Sequence, residues 1–430
     1  MIKKIIYTFT SRIGIAIINL VIAVILSRWL GAELKGVQSL LLIYISLITT
    51  ITGFAGISSL SYLLPKSPKA NYLIASTIWS FTICTIIYLL STTLHLIPTQ
   101  YIFSIIAISL VSSLGNNNLS ILLYKEKIRE YNRAMLLQPV ILVLMIAAFF
   151  VVTRTLTISN YLVSLLISYI LFLLISISGL KYLQKLNDSN SSKSIIYDLR
   201  QLLKYGFYNQ TATIIQLASF RGAYFIIEKY CTTSEVGIYS NAVSITESIW
   251  LISRSISLVM YSKIINTEST IKQRKLIIRF SQITFYIQLP AILLISVIPA
   301  QFYVYIFGKD FYAMKTTIVF LLPGVLLYGQ SLISGHYFSG TGNHKINTLS
   351  NLGGMIVLLI SSFFLIPHLA LVGAAISTFL GYFTLLLIQS YYLKKKLQIG
   401  FVNFIGSRNK IVTYHHFLKK MYFKINKRKL

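Results

Sequence analysis

The residues best placed for chemistry are charged side chains inside apolar segments of the chain. The stretch LASFRGAYFIIEKY (217–230) is apolar enough to lie in lipid, yet it carries Arg221 near its middle. The next apolar stretch contains Glu247 and Arg254, and the first one contains Arg12. An ionised side chain at bilayer depth costs roughly 2.5 to more than 10 kcal/mol, so it faces water, meets another charge or reaches the interface. These four positions indicate a site that binds a charged group.

The sequence leaves three interpretations of Arg221 open. Arg221 and Glu247 fall at similar depth on consecutive spans of opposite direction, at 1.5 Å per helical residue. Arg221 either pairs with Glu247, contacts an anionic substrate in a water-filled cavity, or snorkels, and the first two roles are compatible. Arg254 lies two turns beyond Glu247 on the same face of one predicted helix. Arg12 either snorkels at the cytoplasmic end of its span or lines the same cavity. We predict all four as substrate-binding residues.

Composition identifies the elements that position these residues. The chain has 430 residues, of which 55% are hydrophobic and 11% charged, whereas a soluble domain carries about 25% charged residues. Its mean hydropathy is +0.73. The first apolar span is long and lacks a small-x-small cleavage site, so we expect a retained helix rather than a signal peptide. The sequence predicts an all-α integral membrane protein with about twelve transmembrane helices, at 11–29, 39–63, 72–94, 101–123, 135–153, 159–180, 206–228, 238–262, 280–300, 316–338, 348–366 and 369–392.

The net charge of +29 follows the predicted topology. With the N-terminus inside, the segments on the cytoplasmic side hold 30 of the 39 Lys and Arg residues, and the opposite side holds six. This bias is the positive-inside rule, and it places both termini in the cytoplasm. It also argues against a nucleic-acid partner, because the charge is spread over loops. We interpret the basic, aromatic-containing tail KKMYFKINKRKL as a solvated end near anionic membrane lipids.

The chain contains an internal repeat. RWLGAELKGVQS (28–39) and KYCTTSEVGIYS (229–240) share a basic residue, a glycine and a serine at the same spacing, 201 residues apart. LVLMIAAFF (142–150) resembles IVLLISSFF (356–364), and SYILFLLISISGLK (168–181) resembles GYFTLLLIQSYYLK (381–394). Three matches in the same order indicate a duplicated six-helix unit. Since six is even, the halves are parallel repeats around a central cavity. The predicted organisation is an N-terminal lobe (1–190), a C-terminal lobe (191–395) and a basic cytoplasmic tail (396–430), joined at the polar segment 185–198.

Several kinds of chemistry lack a motif in this sequence. Cys84 and Cys231 have neither metal-ligand nor CxxC spacing, and no two of the six histidines form a ligand motif. No G-x-x-x-x-G-K-[ST] sequence occurs, so we expect no P-loop ATP hydrolysis. We predict no cofactor and no metal, and energy supplied by an ion gradient, the membrane potential or the substrate's own gradient. Pro139, Pro290 and Pro323 lie inside spans, where each favours a kink that is either static or a hinge.

Several segments resemble the polysaccharide flippases, the Wzx-type exporters of the MOP superfamily with a MATE-like fold. They are ILSRWLGAELKGVQSLLLIY, EKYCTTSEVGIYSNAVSI, FGKDFYAMKTTIVFLLPGVLLYGQSLISGHYFSGTGN and FFLIPHLALVGAAISTFL. The resemblance covers residues 1–395 and implies alternating-access transfer of undecaprenyl-diphosphate-linked oligosaccharide to the outer leaflet of the cytoplasmic (inner) membrane. It also implies a polysaccharide polymerase and a chain-length regulator as partners. Many relatives have an acidic residue two positions after the arginine of the seventh span, where this chain has Ala223.

Two other function classes fit the sequence less well. A multidrug or cation antiporter of the same fold would favour carboxylates in its cavity, whereas here Glu247 stands against two or three arginines. A membrane enzyme of polysaccharide assembly would need a sizeable outer loop or paired acids. The longest predicted outer connection, near 301–315, is short, and the outer acidic residues are scattered. The sequence therefore favours a transporter of an anionic substrate over an enzyme.

Overall fold

The computed structural model describes residues 2–67, 71–179 and 194–400, and every regular element in these ranges is a helix. Short 3-10 turns occur at Gly53–Ala55, Thr99–Tyr101 and Lys309–Phe311. The α-helices are α1 (Ile2–Thr52), α2 (Ile57–Leu63), α3 (Asn71–Leu94), α4 (Ile102–Tyr124), α5 (Ile128–Thr153), α6 (Ile158–Ile177), α7 (Ile195–Tyr230), α8 (Thr233–Ser248), α9 (Trp250–Ile265), α10 (Thr270–Val297), α11 (Ala300–Phe307), α12 (Met314–Gly340) and α13 (His344–Leu397).

These helices account for the twelve predicted spans. Nine helical stretches in the described ranges are long and apolar enough to cross a membrane. Two of them, Thr10–Leu63 and His344–Leu397, have 54 residues each and contain two predicted spans. Non-helical residues interrupt them at Gly31 and Ala370. Helix α7, which carries Asn209, Gln210 and Arg221, is not among the nine but forms the seventh predicted span. The prediction of an all-α, multi-pass membrane protein is confirmed.

The eighth predicted span lies within the apolar helical stretch Thr233–Ile265, which has one irregularity. The predicted span 238–262 is not one regular helix, because the helical hydrogen bonding changes at Ile249 between α8 and α9. There the Ile249 and Ile252 amides donate to carbonyls three residues earlier. The Ser248 hydroxyl donates to the Ile245 carbonyl at 2.6 Å, a side-chain bond that competes with helical geometry. Glu247 therefore lies in the last turn of α8, whereas Arg254 lies on α9.

The structure locates the prolines of the predicted spans and adds one further helix. Pro139, Pro290 and Pro323 lie inside α5, α10 and α12. Pro367 precedes the non-helical Ala370 (φ 47°, ψ −124°) of α13, so a proline stands close to the point where that helix breaks. The predicted outer connection near 301–315 contains α11 and a 3-10 turn rather than an extended loop.

The described chain divides into two compact units. The first takes the chain up to Ser244 with Pro299–Thr317 and Ser362–Ala374, and the second takes Ile245–Ile298, Ile318–Ser361 and the described chain from Ala375 onward. Aliphatic side chains of α1, α4, α5 and α6 form the main core of the first unit. The core of the second unit comes from α9, α10, α12 and α13. The division at residue 190 stays a prediction, since most of the joint 185–198 and the tail from 401 lie outside the described residues.

Candidate functional site

A break in α1 sets the direction of the segment that carries the site. Gly31 has φ 74° and ψ 177°, and the left-handed φ region is costly for residues other than glycine. The break leaves the backbone N–H of Ala32 without an intrahelical acceptor, and Asp310 Oδ2 accepts from it at 3.3 Å. This carboxylate therefore acts as a cap on the second half of α1. Arg28, just before the break, donates from Nε to the Ile306 carbonyl at 2.8 Å and from its second terminal nitrogen to the Tyr305 carbonyl.

The second half of α1 packs directly on α8 through the repeated motif. A Cβ added to Gly36 would lie 1.8 Å from the Thr233 carbonyl oxygen, and one added to Gly237 would lie 2.1 Å from that of Ala32. Gly36 and Gly237 are 201 residues apart, as are Ala32 and Thr233, and this is the offset of the sequence repeat. The Ser39 hydroxyl donates to that of Ser240 at 2.9 Å, and these residues are also equivalent in the repeat. Equivalent residues therefore face each other across a local two-fold axis.

Aromatic contacts follow the same repeat. Trp29 stacks on Phe150 with ring centres 3.7 Å apart. Tyr230, the repeat equivalent of Trp29, contacts Phe363 edge to face at 6.4 Å. Phe150 and Phe363 belong to the Phe-Phe pairs of the second repeated segment. By the repeat, Phe363 is equivalent to Phe149 rather than to Phe150, so the two halves have similar but not identical aromatic contacts.

A buried lysine lies one residue before this glycine contact. Lys35 is 6% exposed, and its Nζ donates to Gln38 Oε1 at 2.6 Å and to Ser39 Oγ at 3.2 Å. Gln38, at the next turn of α1, donates to the Tyr161 hydroxyl of α6 at 3.0 Å. Because these partners are neutral, they satisfy hydrogen bonds of the ammonium group without cancelling its charge.

Arg221 of α7 is a second cation, and it interacts electrostatically with Lys35. Its guanidinium lies within Coulomb range of the Lys35 ammonium group. The side chain is half-buried, and its guanidinium carbon is 5.5 Å from the centre of the Tyr224 ring. Tyr224 in turn contacts the Tyr239 ring of α8 edge to face at 5.4 Å. The Lys35–Arg221 cluster is defined here as Lys35, Gln38, Ser39, Tyr161, Arg221 and Ser240.

This cluster has the chemistry of an anion site. Two like charges held close together in a medium of low dielectric constant repel each other, and a bound anion offsets that repulsion. Arginine presents a planar fork that can bind phosphate oxygens with two parallel hydrogen bonds, and lysine adds a point charge. In the described ranges, no group of three or more His, Cys, Asp or Glu side chains is placed to hold a metal ion.

The four residues predicted from sequence lie in different parts of the chain. Arg12 and Arg221 belong to the first unit, whereas Glu247 and Arg254 belong to the second. Arg12 is exposed and precedes the Gly31 break by about 28 Å of helix, so it is not part of the Lys35–Arg221 cluster. Arg254 is exposed on α9, and Glu247 is half-buried at the end of α8. Their roles in substrate binding, and the pairing of Glu247 with Arg221, stay predictions.

Sequence reasoning missed Lys35, Gln38 and Tyr161. It placed Lys35 among the charges of an outer segment, because the residue lies between two predicted spans. A signal was available, since Lys35, Gln38 and Ser39 stand at i, i+3 and i+4 and share one helical face. Ala223, which replaces the acidic residue of many relatives, is 2% exposed two residues after Arg221.

Comparison with known proteins identifies the fold. Neither a protein-family model nor a curated protein sequence matches the chain. The lipid II flippase MurJ in an inward closed conformation is 15% identical, with TM-score 0.73, covering 92% of this chain and 88% of that one. An inward-facing multidrug resistance MATE transporter of the MOP superfamily is 15% identical, with TM-score 0.69, covering 91% and 98%. The Vibrio cholerae MATE transporter VcmN is 13% identical, with TM-score 0.63, covering 91% and 95%. The chain therefore has the fold of the MOP-superfamily transporters.

Proposed function

We propose that this protein is a flippase that moves an undecaprenyl-diphosphate-linked oligosaccharide from the inner to the outer leaflet of the cytoplasmic membrane. The observation that carries the proposal is the Lys35–Arg221 cluster, in which a buried ammonium and a half-buried guanidinium lie within Coulomb range. A diphosphate supplies the negative charge that such a cluster binds, and its oxygens match the arginine fork.

The fold supports transport but does not select the substrate. It occurs in a lipid II flippase and in multidrug MATE transporters. The choice between an anionic and a cationic substrate therefore depends on the sign of the charge in the site. A cationic drug would be repelled by Lys35 and Arg221, whereas an anionic lipid headgroup would be attracted. This is why a flippase is favoured over a cation antiporter.

The remaining parts of the proposal come from the sequence. Both termini lie in the cytoplasm by the Lys and Arg bias. Transport occurs by alternating access of a cationic cavity. Arg12, Arg254 and Glu247 bind the substrate along its path. A polysaccharide polymerase and a chain-length regulator act on the exported units.

The test is a lipid-transfer assay with the purified protein in liposomes. A fluorescent undecaprenyl-diphosphate disaccharide serves as substrate, and a membrane-impermeant quencher reports its leaflet. Arg221→Gln and Lys35→Gln should each slow transfer about 10- to 100-fold, because a hydrogen bond to a charged group contributes about 1.5–3 kcal/mol. Arg221→Lys should recover part of the rate, since it keeps the charge but loses the fork.

Lys229→Gln is the matched control. It removes an exposed cation from the same helix α7, two turns beyond Arg221, and should leave the rate unchanged. All variants are compared at equal amounts of monodisperse protein, so that loss of folding is scored separately. Wild-type rates in both Arg221→Gln and Lys35→Gln would refute the cationic site, and transfer of cationic drugs by the wild type would favour the antiporter.

A further inference from the structure

The second unit contains a basic site of its own. Where α9 turns into α10, a cavity of about 580 Å³ opens to the surface. Its lining is strongly basic and includes Lys263, Asn266, Thr267, Lys272, Lys275 and Arg279. The one carboxylate of this segment, Glu268, is exposed and is not part of the lining. The Thr267 hydroxyl and the Asn266 amide donate to backbone carbonyls of α9, at 2.7 and 2.8 Å, so the groups of the cavity that can bind an anion are its four cations.

The cations are arranged by the helices rather than by a loop. Lys272, Lys275 and Arg279 stand at i, i+3 and i+7 and share one face of α10. Lys263 approaches from the last turn of α9, with its ammonium 5.4 Å from the centre of the Phe280 ring. Four cations line this one cavity, and an anion bound there would be attracted by all of them. The arrangement is that of a binding site for a phosphate group.

A third helix brings more positive charge to the same end of this unit. Arg274 of α10 donates to the Gln398 carbonyl at 3.3 Å, just beyond the end of α13. The last turn of α13 carries Lys394, Lys395 and Lys396. Below the surface, Ile264 of α9, Ile277 of α10 and Leu397 of α13 pack in one apolar core. The three helix ends are therefore held together, and the cavity lies in a basic surface.

Exposed aliphatic side chains beside the cavity distinguish a lipid from a soluble phosphate. Leu258 and Val259, one turn before Lys263, are 58% and 52% exposed. Ile265 and Ile271, on either side of the α9–α10 turn, are 53% and 67% exposed. Apolar surface of this kind on a membrane-spanning helix is suited to acyl chains. A free phosphate or nucleotide would use the cations but not these residues.

We infer that this cavity binds the phosphodiester headgroup of an anionic glycerophospholipid of the inner leaflet, with acyl chains along Leu258, Val259 and Ile265. Basic pockets between helix ends on the cytoplasmic side bind such headgroups, and the charge bias of the sequence places this turn on that side. The site is separate from the proposed transport site, and it binds a lipid that stays in the membrane rather than a transported substrate.

Native mass spectrometry of the protein released from nanodiscs tests the inference. The nanodiscs contain either phosphatidylcholine alone or phosphatidylcholine with one-fifth phosphatidylglycerol. The wild type should retain phosphatidylglycerol, and Lys272→Gln/Lys275→Gln should weaken its binding about 25-fold, because each cation near the membrane surface contributes about fivefold. Both lysines are exposed, so the variant should fold normally.

Arg129→Gln/Arg133→Gln is the control, since it removes two exposed cations of the α4–α5 region, also on the predicted cytoplasmic side. It should retain phosphatidylglycerol like the wild type. Equal retention by Lys272→Gln/Lys275→Gln and the wild type would overturn the inference. Displacement of the lipid by 10-millimolar inorganic phosphate would also overturn it, because it would assign the cavity to a soluble anion. The transfer assay on the Lys272→Gln/Lys275→Gln variant distinguishes this cavity from the Lys35–Arg221 cluster. We expect the variant to lose phosphatidylglycerol but to transfer the undecaprenyl-diphosphate disaccharide at the wild-type rate.

Discussion

Replacing Gly36 with alanine should force α1 and α8 apart at the local two-fold axis. The added Cβ would lie 1.8 Å from the Thr233 carbonyl oxygen and 3.1 Å from the Gly237 amide nitrogen, whereas ordinary contacts begin at 3.4 Å. Because the obstacle is backbone, no side-chain rotation can relieve the clash, and the helices themselves have to move. Overpacking costs about 1–3 kcal/mol, and we expect the upper end of this range.

Separation of the helices should also break the Ser39–Ser240 hydrogen bond of 2.9 Å. Such bonds between membrane helices contribute about 0.6 kcal/mol on average. At about 2–4 °C per kcal/mol, Gly36→Ala should lower the unfolding temperature by about 6–12 °C. The measurement is thermal unfolding in detergent, followed by fluorescence-detected size-exclusion chromatography.

A disulfide between introduced cysteines reports the helix separation directly. In a Cys84→Ser/Cys231→Ser background, Ser39→Cys and Ser240→Cys should cross-link readily with a mild oxidant, and adding Gly36→Ala should slow the reaction. Gly14→Ala is the control in the same helix α1, since its Cβ would meet only Leu136 Cδ1 at 3.4 Å. If Gly36→Ala unfolds at the wild-type temperature and cross-links at the wild-type rate, the close contact of α1 and α8 is refuted.

Two further predictions concern topology and one thiol. Reporter fusions at Pro98 and at the C-terminus should lie on opposite sides of the membrane, because both termini are predicted to be cytoplasmic; the same side for both would exclude the twelve-span topology. Burial, with a contribution from Glu235, raises the pKa of the Cys231 thiol to about 11, so the thiol is protonated and slow to react at neutral pH. Labelling by a methanethiosulfonate reagent should rise roughly tenfold per pH unit between pH 7 and 9, with Cys84→Ser unchanged, and a flat pH profile would contradict the assigned burial.

Most of the fold follows from the sequence because a bilayer imposes strong constraints. A span needs about 20 apolar residues and must satisfy its own backbone hydrogen bonds, so the number and type of the elements can be read from hydropathy alone. The repeat motif also predicted that Gly36 and Gly237 occupy equivalent positions, and the structure places these two residues in contact. The change of hydrogen bonding at Ile249 and the helix break at Ala370 were not predictable, because they depend on local hydrogen bonds and on packing.

The candidate site was only partly accessible from sequence. Arg221 stood out because a charge inside an apolar stretch is costly. Lys35 did not, since its burial depends on how α1, α6, α7 and α8 pack after the Gly31 break, and no local pattern encodes that packing. Its neighbours Gln38 and Tyr161 are 123 residues apart in sequence, so their pairing emerges only in three dimensions.

The reciprocal contact of Gly36 and Gly237 has the form of an isologous dimer interface, in which one surface meets a copy of itself. A half-length ancestor could therefore have used one glycine, one carbonyl and one serine twice, by assembling as a parallel homodimer. In such a dimer, a substitution at any residue of the interface would be present on both sides of the axis. Fusion of the two copies into one chain removes that restriction, so Lys35 can occupy one half while its repeat equivalent, Val236, stays apolar in the other. A single chain with two such repeats can therefore carry a charge on one side of this interface, whereas a symmetric homodimer would carry it on both.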